Sequence, residues 1–123
     1  MVIEARILPV ADYIQPSEGE PIRSVVLETP ESIIVVWHVQ TGQEIPAHIH
    51  PYGQDTWTVL SGMADYFAGD GLAYSITTHD IAVATPGQVH GAKNRASEPF
   101  VFVSVVAPGN AGYALAEAKD KEQ

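Results

Sequence analysis

The sequence predicts an all-β protein, a sandwich or barrel of short strands. Three observations carry that expectation. Apolar runs of four to eight residues recur along the chain, they are rich in β-branched and aromatic residues, and turn-forming residues interrupt them at intervals of roughly ten.

Taken in order, PSEGEP at 16–21 breaks the chain before IRSVVLE (22–28), and Thr29-Pro30 separates that run from SIIVVWHV (32–39). Thr41-Gly42 and then Pro51-Tyr52-Gly53 precede DTWTVL (55–60), and Ser61-Gly62 leads into MADYF (63–67). Gly69-Asp70-Gly71 opens LAYSI (72–76), IAVA (81–84) runs into Thr85-Pro86-Gly87, and QVHGA (88–92) follows. The last run, PFVFVSVV (99–106), stops at Pro108-Gly109-Asn110. Most of these runs are too short for a packed helix, and Gly and Pro supply the turns between them. Only the tail ALAEAKDKEQ after Tyr113 has helix-forming composition, and a short helix or frayed terminus is expected there. Gly42, Gly53, Gly62 and Gly87 read as backbone devices for tight turns.

Composition narrows the function. A chain of 123 residues is the usual size of one domain, and residues 1–123 are read as a single unit without repeat or linker. Six basic against fifteen acidic residues give a net charge of −9, which repels phosphate backbones and anionic membrane surfaces, so neither nucleic acid nor membrane is an expected partner. With no cysteine, disulfides and thiolate metal sites are excluded, and any metal must be held by imidazole, carboxylate or water. No stretch approaches the length of a membrane span, and the first twenty residues lack an apolar signal core, so a soluble cytoplasmic protein is expected.

HIHPYGQDTW, residues 48–57, carries the candidate chemistry. Side chains two apart on an extended strand share a face, so His48 and His50 present both imidazoles to one point while Ile49 turns away. Pro51 biases His50 toward extended backbone, which favours that shared face. Of Gln54 and Asp55 only one can point inward. If Asp55 does, Trp57 and Val59 go with it; if Gln54 does, Thr56 and Thr58 go instead. The first set is the more apolar, which favours Asp55 as the inward carboxylate with Gln54 as the alternative. His90, after a Pro-Gly turn, could bring a third imidazole to the same pocket. His38 alternates with Gln40 on the polar side of IIVVWHVQ and is expected to face solvent, and His79 sits among turns with a structural role.

Residues 42–62, GQEIPAHIHPYGQDTWTVLSG, and 79–94, HDIAVATPGQVHGAKN, resemble the two motifs of the cupin family, G-x5-H-x-H-x3,4-E-x6-G and G-x5-P-x-G-x2-H-x3-N. Gly42, His48, His50, Gly62, Gly87, His90 and Asn94 stand at the family's positions. Asp55 replaces the family's Glu, His79 its opening Gly and Thr85 its Pro, with Pro86 displaced by one. The resemblance implies a double-stranded β-helix, or jelly-roll barrel, curled around a pocket. It also implies one divalent transition metal (Fe, Mn, Ni, Zn or Co) held by His48, His50, Asp55 and His90. Trp57 shares parity with Asp55 and is the favoured pocket residue, with Gln54, Tyr66 and Phe102 as further candidates.

Two functions from different classes are consistent with this. The favoured one is a metal-dependent enzyme on a small oxygenated substrate, dioxygenase-like first, with isomerisation or decarboxylation as the redox-neutral alternative. The other is a ligand-binding or sensing module in which the metal is structural. A binuclear zinc hydrolase is excluded, because that use of His-x-His needs a barrel of roughly 250 residues. A homodimer is expected, since a jelly roll leaves sheet edges and VIEARIL could pair with a neighbour. Metal affinity is expected to fall below about pH 6, where imidazole protonates.

Overall fold

The computed structural model describes residues 1–116. After a turn of 3-10 helix at Val10–Tyr13 come ten strands: β1 (Ser24–Glu28), β2 (Ile33–Val39), β3 (Glu44–Ile49), β4 (Gln54–Ser61), β5 (Met63–Gly69), β6 (Leu72–Thr77), β7 (Ile81–Ala84), β8 (His90–Lys93), β9 (Phe100–Ala107) and β10 (Ala114–Leu115). They form two five-stranded antiparallel sheets, ordered β1-β2-β9-β4-β7 and β10-β3-β8-β5-β6. This is the jelly roll that the sequence implies.

Strand register decides which residues meet inside. Val35 stands opposite Ser104, Trp37 opposite Phe102 and Val39 opposite Phe100. Across the other side of β9, Ser104 stands opposite Trp57 and Val106 opposite Asp55. Residues directly opposite in an antiparallel pair share a face, so Asp55 points inward together with Trp57 and Val59, the more apolar of the two possible sets. Trp57 stacks on Phe102 with ring centroids 4.0 Å apart. Around that pair, Val39, Ile45, Tyr66, Ile76 and Phe100 complete a core between the sheets. The core fills one end of the roll and leaves the other end open, where the candidate ligands lie.

Asn94 ties the closed end together. Fully buried, its side-chain amide donates to the carbonyls of Val39, at 2.9 Å, and Glu98, at 2.8 Å, and its oxygen accepts from the Ala96 N–H at 2.8 Å. One residue thus satisfies backbone groups that turns would otherwise leave unpaired.

Two expectations change. His38 is on the outer face as parity requires, but it is buried rather than solvent-facing. Ser24, Val36 and Val101 around it are buried as well, because the N-terminal segment lies against this part of the sheet, where the Gln15 side chain donates to Ser24 Oγ at 2.9 Å. The tail after Tyr113 begins as strand, not helix: Ala114 and Leu115 pair with Ile49 and His48. An edge strand of β3 was open to them, and pairing outweighs the local preference for helix. The expected helix over the remaining tail, 117–123, lies outside the described residues. The expected pairing of VIEARIL concerns a second chain; within this one the segment forms no strand, and Val2 and Ile7 are exposed.

His79, at the position where the motif has Gly, adopts φ 76°, a left-handed conformation in which a Cβ costs roughly 1–2 kcal/mol. Its N–H donates to the Val59 carbonyl at 2.9 Å, which holds the turn between β6 and β7 in place. Because the side chain is exposed, His79→Gly is expected to raise stability by about 1 kcal/mol, measured by urea denaturation.

Candidate metal centre

The cluster is assembled from both sheets. β3 supplies His48 and, just past its end, His50; β8 begins with His90; and Asp55 reaches across from β4 in the opposite sheet. In β3 the register slips between Ile45 and His48, so Ile45, Pro46, His48 and His50 all border the same space. His48 pairs directly with His90 on β8. Gly91 permits this approach, since a Cβ there would stand 2.7 Å from the Ile45 carbonyl oxygen. The turn before His90 is tied to the first motif by the Gly87 N–H, which donates to the His50 carbonyl at 3.0 Å. Thr85, where the motif has Pro, closes that turn by hydrogen bonding through both its N–H and hydroxyl to the Gln88 side-chain oxygen, at 2.9 and 2.8 Å.

Each imidazole is oriented by a backbone carbonyl. Nδ1 of His48 meets the Pro46 oxygen at 2.8 Å, Nδ1 of His90 meets the Gln88 oxygen at 3.1 Å, and Nδ1 of His50 meets the Gly112 oxygen at 2.7 Å. A carbonyl only accepts, so all three Nδ1 atoms carry the hydrogen and all three Nε2 atoms are left to the cluster. There, Nε2 of His90 and of His50 approach Asp55 Oδ2 at 2.9 and 3.3 Å. One donor atom from each of the four residues lies within 4.8 Å of the others.

This arrangement demands positive charge. A neutral ring with its proton on Nδ1 presents a lone pair at Nε2, and two such lone pairs facing one carboxylate oxygen repel it. The contact becomes attractive only with protonated rings or with a cation shared among the Nε2 atoms and Asp55. The residues therefore fit a metal: three borderline nitrogen donors and one oxygen are the ligand types of Fe, Mn, Co, Ni and Zn.

Electrostatics follow from the same contacts. Burial opposes charge on His48, and a protonated His90 beside it adds repulsion, which together outweigh the Pro46 hydrogen bond and lower its pKa to about 4. Burial also acts against charge on His50, but hydrogen bonds to Asp55 and Gly112 prevail and its pKa is raised. Burial would raise the Asp55 carboxyl; hydrogen bonds from His50, His90 and Ser104 instead hold it well below the usual carboxylate range. Ser104 donates its hydroxyl to Asp55 Oδ1 at 2.6 Å, which leaves Oδ2 for the histidines.

The cluster lies at one side of a cavity of about 600 Å³, also bordered by Ile33, Val35, Trp37, Trp57 and Val106, with Glu20, Arg23, Glu44 and Tyr113 exposed at its rim. Of the expected pocket residues, Trp57 borders this space. Gln54 is exposed and hydrogen bonds to Thr56, outside the cavity, because Asp55 takes the inward parity. Tyr66 and Phe102 belong to the core behind the cavity, where Trp57 separates them from it: Trp57 meets Tyr66 edge-on at 5.2 Å and Phe102 face-on at 4.0 Å.

Sequence reasoning missed Ser104, Gly112, Tyr113 and Arg23. Ser104 had a signal, being the one hydroxyl in the apolar run FVFVSVV. Gly112 and Tyr113 had none, because they arrive through the return of the C-terminal segment: the Ala111 carbonyl accepts from the Tyr52 N–H at 2.8 Å, and Tyr113 packs 5.1 Å from His48.

Asp55→Asn removes the charge that sustains His50. Its imidazole pKa, raised in the metal-free protein, is expected to fall in the variant, since the Gly112 hydrogen bond is then left to oppose burial without the carboxylate. A histidine NMR titration measures the change directly.

Comparison with known proteins agrees with this geometry. A family model described as a cupin domain matches residues 35–106. A solved conserved protein with a double-stranded β-helix domain from Klebsiella pneumoniae is 64% identical, with 93% of this chain and 99% of that chain covered and a TM-score of 0.90. KdgF from Halomonas sp. is similar in fold at 19% identity (TM-score 0.72, 85% of this chain and 94% of that one). So is the polyketide cyclase RemF from Streptomyces resistomycificus at 14% identity (TM-score 0.71, 84% and 75%). No curated protein matches the sequence. With a family model spanning more than half of the chain and a close structural relative along nearly all of it, the chain belongs to the cupin family.

Proposed function

We propose that this protein is a metal-dependent enzyme acting on a small oxygenated molecule, with His48, His50, Asp55 and His90 holding one divalent transition ion. The observation that carries this reading is the commitment of all three Nδ1–H groups to carbonyls while Nε2 atoms converge on Asp55. A bound ion there supplies Lewis acidity and, with iron or manganese, access to dioxygen chemistry.

The chain's own residues support the dioxygenase-like version. Among the described residues bordering the cavity, the other titratable groups, Glu20, Arg23, Glu44 and Tyr113, are all exposed at the rim. The inner walls are Val35, Trp37, Ile45, Trp57 and Val106, which exclude water and supply no separate proton shuttle. Chemistry centred on the ion needs none. Ser104 and the Gly112 carbonyl hold Asp55 and His50 in place, so the cluster need not reorganise when a substrate enters.

A redox-neutral reaction is the second reading. Tyr113 favours it, since its ring lies 5.1 Å from His48 and 6.1 Å from His50 and could move a proton at the mouth. The fold also serves a polyketide cyclase, RemF.

Protein purified without a polyhistidine tag is expected to contain about one transition ion per chain by elemental analysis, and His90→Ala to lose it. After anaerobic loading with Fe(II), oxygen uptake is expected with a catechol, a diketone or an acireductone-like compound. Turnover of such compounds without oxygen consumption would favour the redox-neutral reading; metal-dependent folding without turnover of any would favour a structural ion.

The pH dependence follows from His50. A protonated ring cannot ligate, and the fold raises the pKa of His50 while lowering that of His48 to about 4. As the pH is lowered, metal affinity is therefore expected to start falling while the pH is still above 6.5, sooner than an unperturbed imidazole would allow. Competition with a chelator at a series of pH values measures this.

A further inference from the structure

Two groups bordering the cavity lack partners. Trp57 is 1% exposed, yet its indole N–H has no acceptor among the described residues. An unpaired buried donor costs about 1–3 kcal/mol, but this nitrogen has essentially no accessible surface and is closed to the cavity, which leaves Arg23 as the group free to meet a ligand. Arg23, just before β1, is the one Arg or Lys among the described residues lining the cavity. Among the described residues it forms neither an ion pair nor a hydrogen bond, although the chain carries fifteen carboxylates and Glu20 and Glu44 share the rim. The basic residue Arg95, by contrast, is paired with Asp65.

We infer that the cavity selects a small organic carboxylate, with Arg23 holding the anionic group at the rim and the apolar walls, Trp57 among them, taking the body of the molecule. A single guanidinium fork matches the two oxygens of a carboxylate. A phosphate dianion fits less well, because the protein carries −9 overall and two glutamates stand beside Arg23. This deepens the proposed function and rests on it, in that the ligand's remaining oxygens would meet the His and Asp cluster. Arg23 thereby becomes a specificity-determining residue.

The test compares 3,4-dihydroxyphenylacetate with its uncharged amide. Both offer vicinal oxygens, and only one offers a carboxylate. Binding is followed by the fluorescence of the two tryptophans, Trp37 and Trp57, which both border the cavity. Zn(II)-loaded protein avoids oxidation of the probes. The acid is expected to bind about tenfold or more tightly than the amide. In Arg23→Gln the two probes should bind alike, with amide affinity unchanged, and Arg23→Lys should restore part of the preference. Arg23 is exposed, so the melting temperatures of these variants should match the parent's. Equal binding of acid and amide by the parent protein, a preference that survives in Arg23→Gln, or displacement of the acid by equimolar inorganic phosphate would overturn the assignment. Repeating the titrations on metal-free protein separates the two ideas. Carboxylate preference without any Zn(II) uptake contradicts the metal reading alone, and Zn(II) uptake without that preference contradicts the role of Arg23 alone.

Discussion

Three hydrogen bonds from imidazole Nδ1 to backbone carbonyls determine what this protein can do. They fix the tautomer of each ring, turn the Nε2 atoms of His50 and His90 onto Asp55, and create a contact that is stable only around positive charge. The rest of the jelly roll serves that arrangement. The register slip in β3 brings Ile45 and His48 to the same side, the bare backbone of Gly91 lets β8 approach, and the opposite sheet delivers Asp55 already anchored by Ser104. Burying four ionisable side chains is costly unless they are paired with one another or with an ion, and here they stand within 4.8 Å of one another.

Two of these carbonyls are local. His48 and His90 each bond to the carbonyl two residues earlier, on strands that face one another in register. The third is remote, for Gly112 lies 62 residues after His50. Orientation of His50 thus depends on the C-terminal segment returning across the mouth, where β10 adds to the edge of β3. The segment that aims one candidate ligand also places Tyr113 above two of them, so the ligand set and the entrance of the cavity are mechanically joined.

Much of this was legible in the sequence because it depends on short-range periodicity. Alternation along DTWTVL put Asp55 on the inward face with Trp57 and left Gln54 outside, and the turn residues marked eight runs that each became a strand. The two spaced motifs located His48, His50, Asp55 and His90. What stayed hidden depends on which segments of chain lie over which faces. His38 has the parity of a surface residue, and only the N-terminal segment makes it a buried one. Tyr66 and Phe102 have the character of pocket aromatics, but Trp57 stands between them and the cavity. Ala114 and Leu115 belong to a helix-forming tail and are strand because an edge was available. Arg23 lies outside both motifs, and its place at the rim follows from the curl of the first sheet.

The convergence of Nε2 atoms on one cation is open to direct measurement by X-ray absorption at the metal edge of stoichiometrically loaded protein. The account predicts three imidazole nitrogens, recognisable by their outer-ring scattering, and one carboxylate oxygen at about 2.0–2.2 Å from the metal. A coordination shell of oxygen alone, or one with a single imidazole, would contradict it.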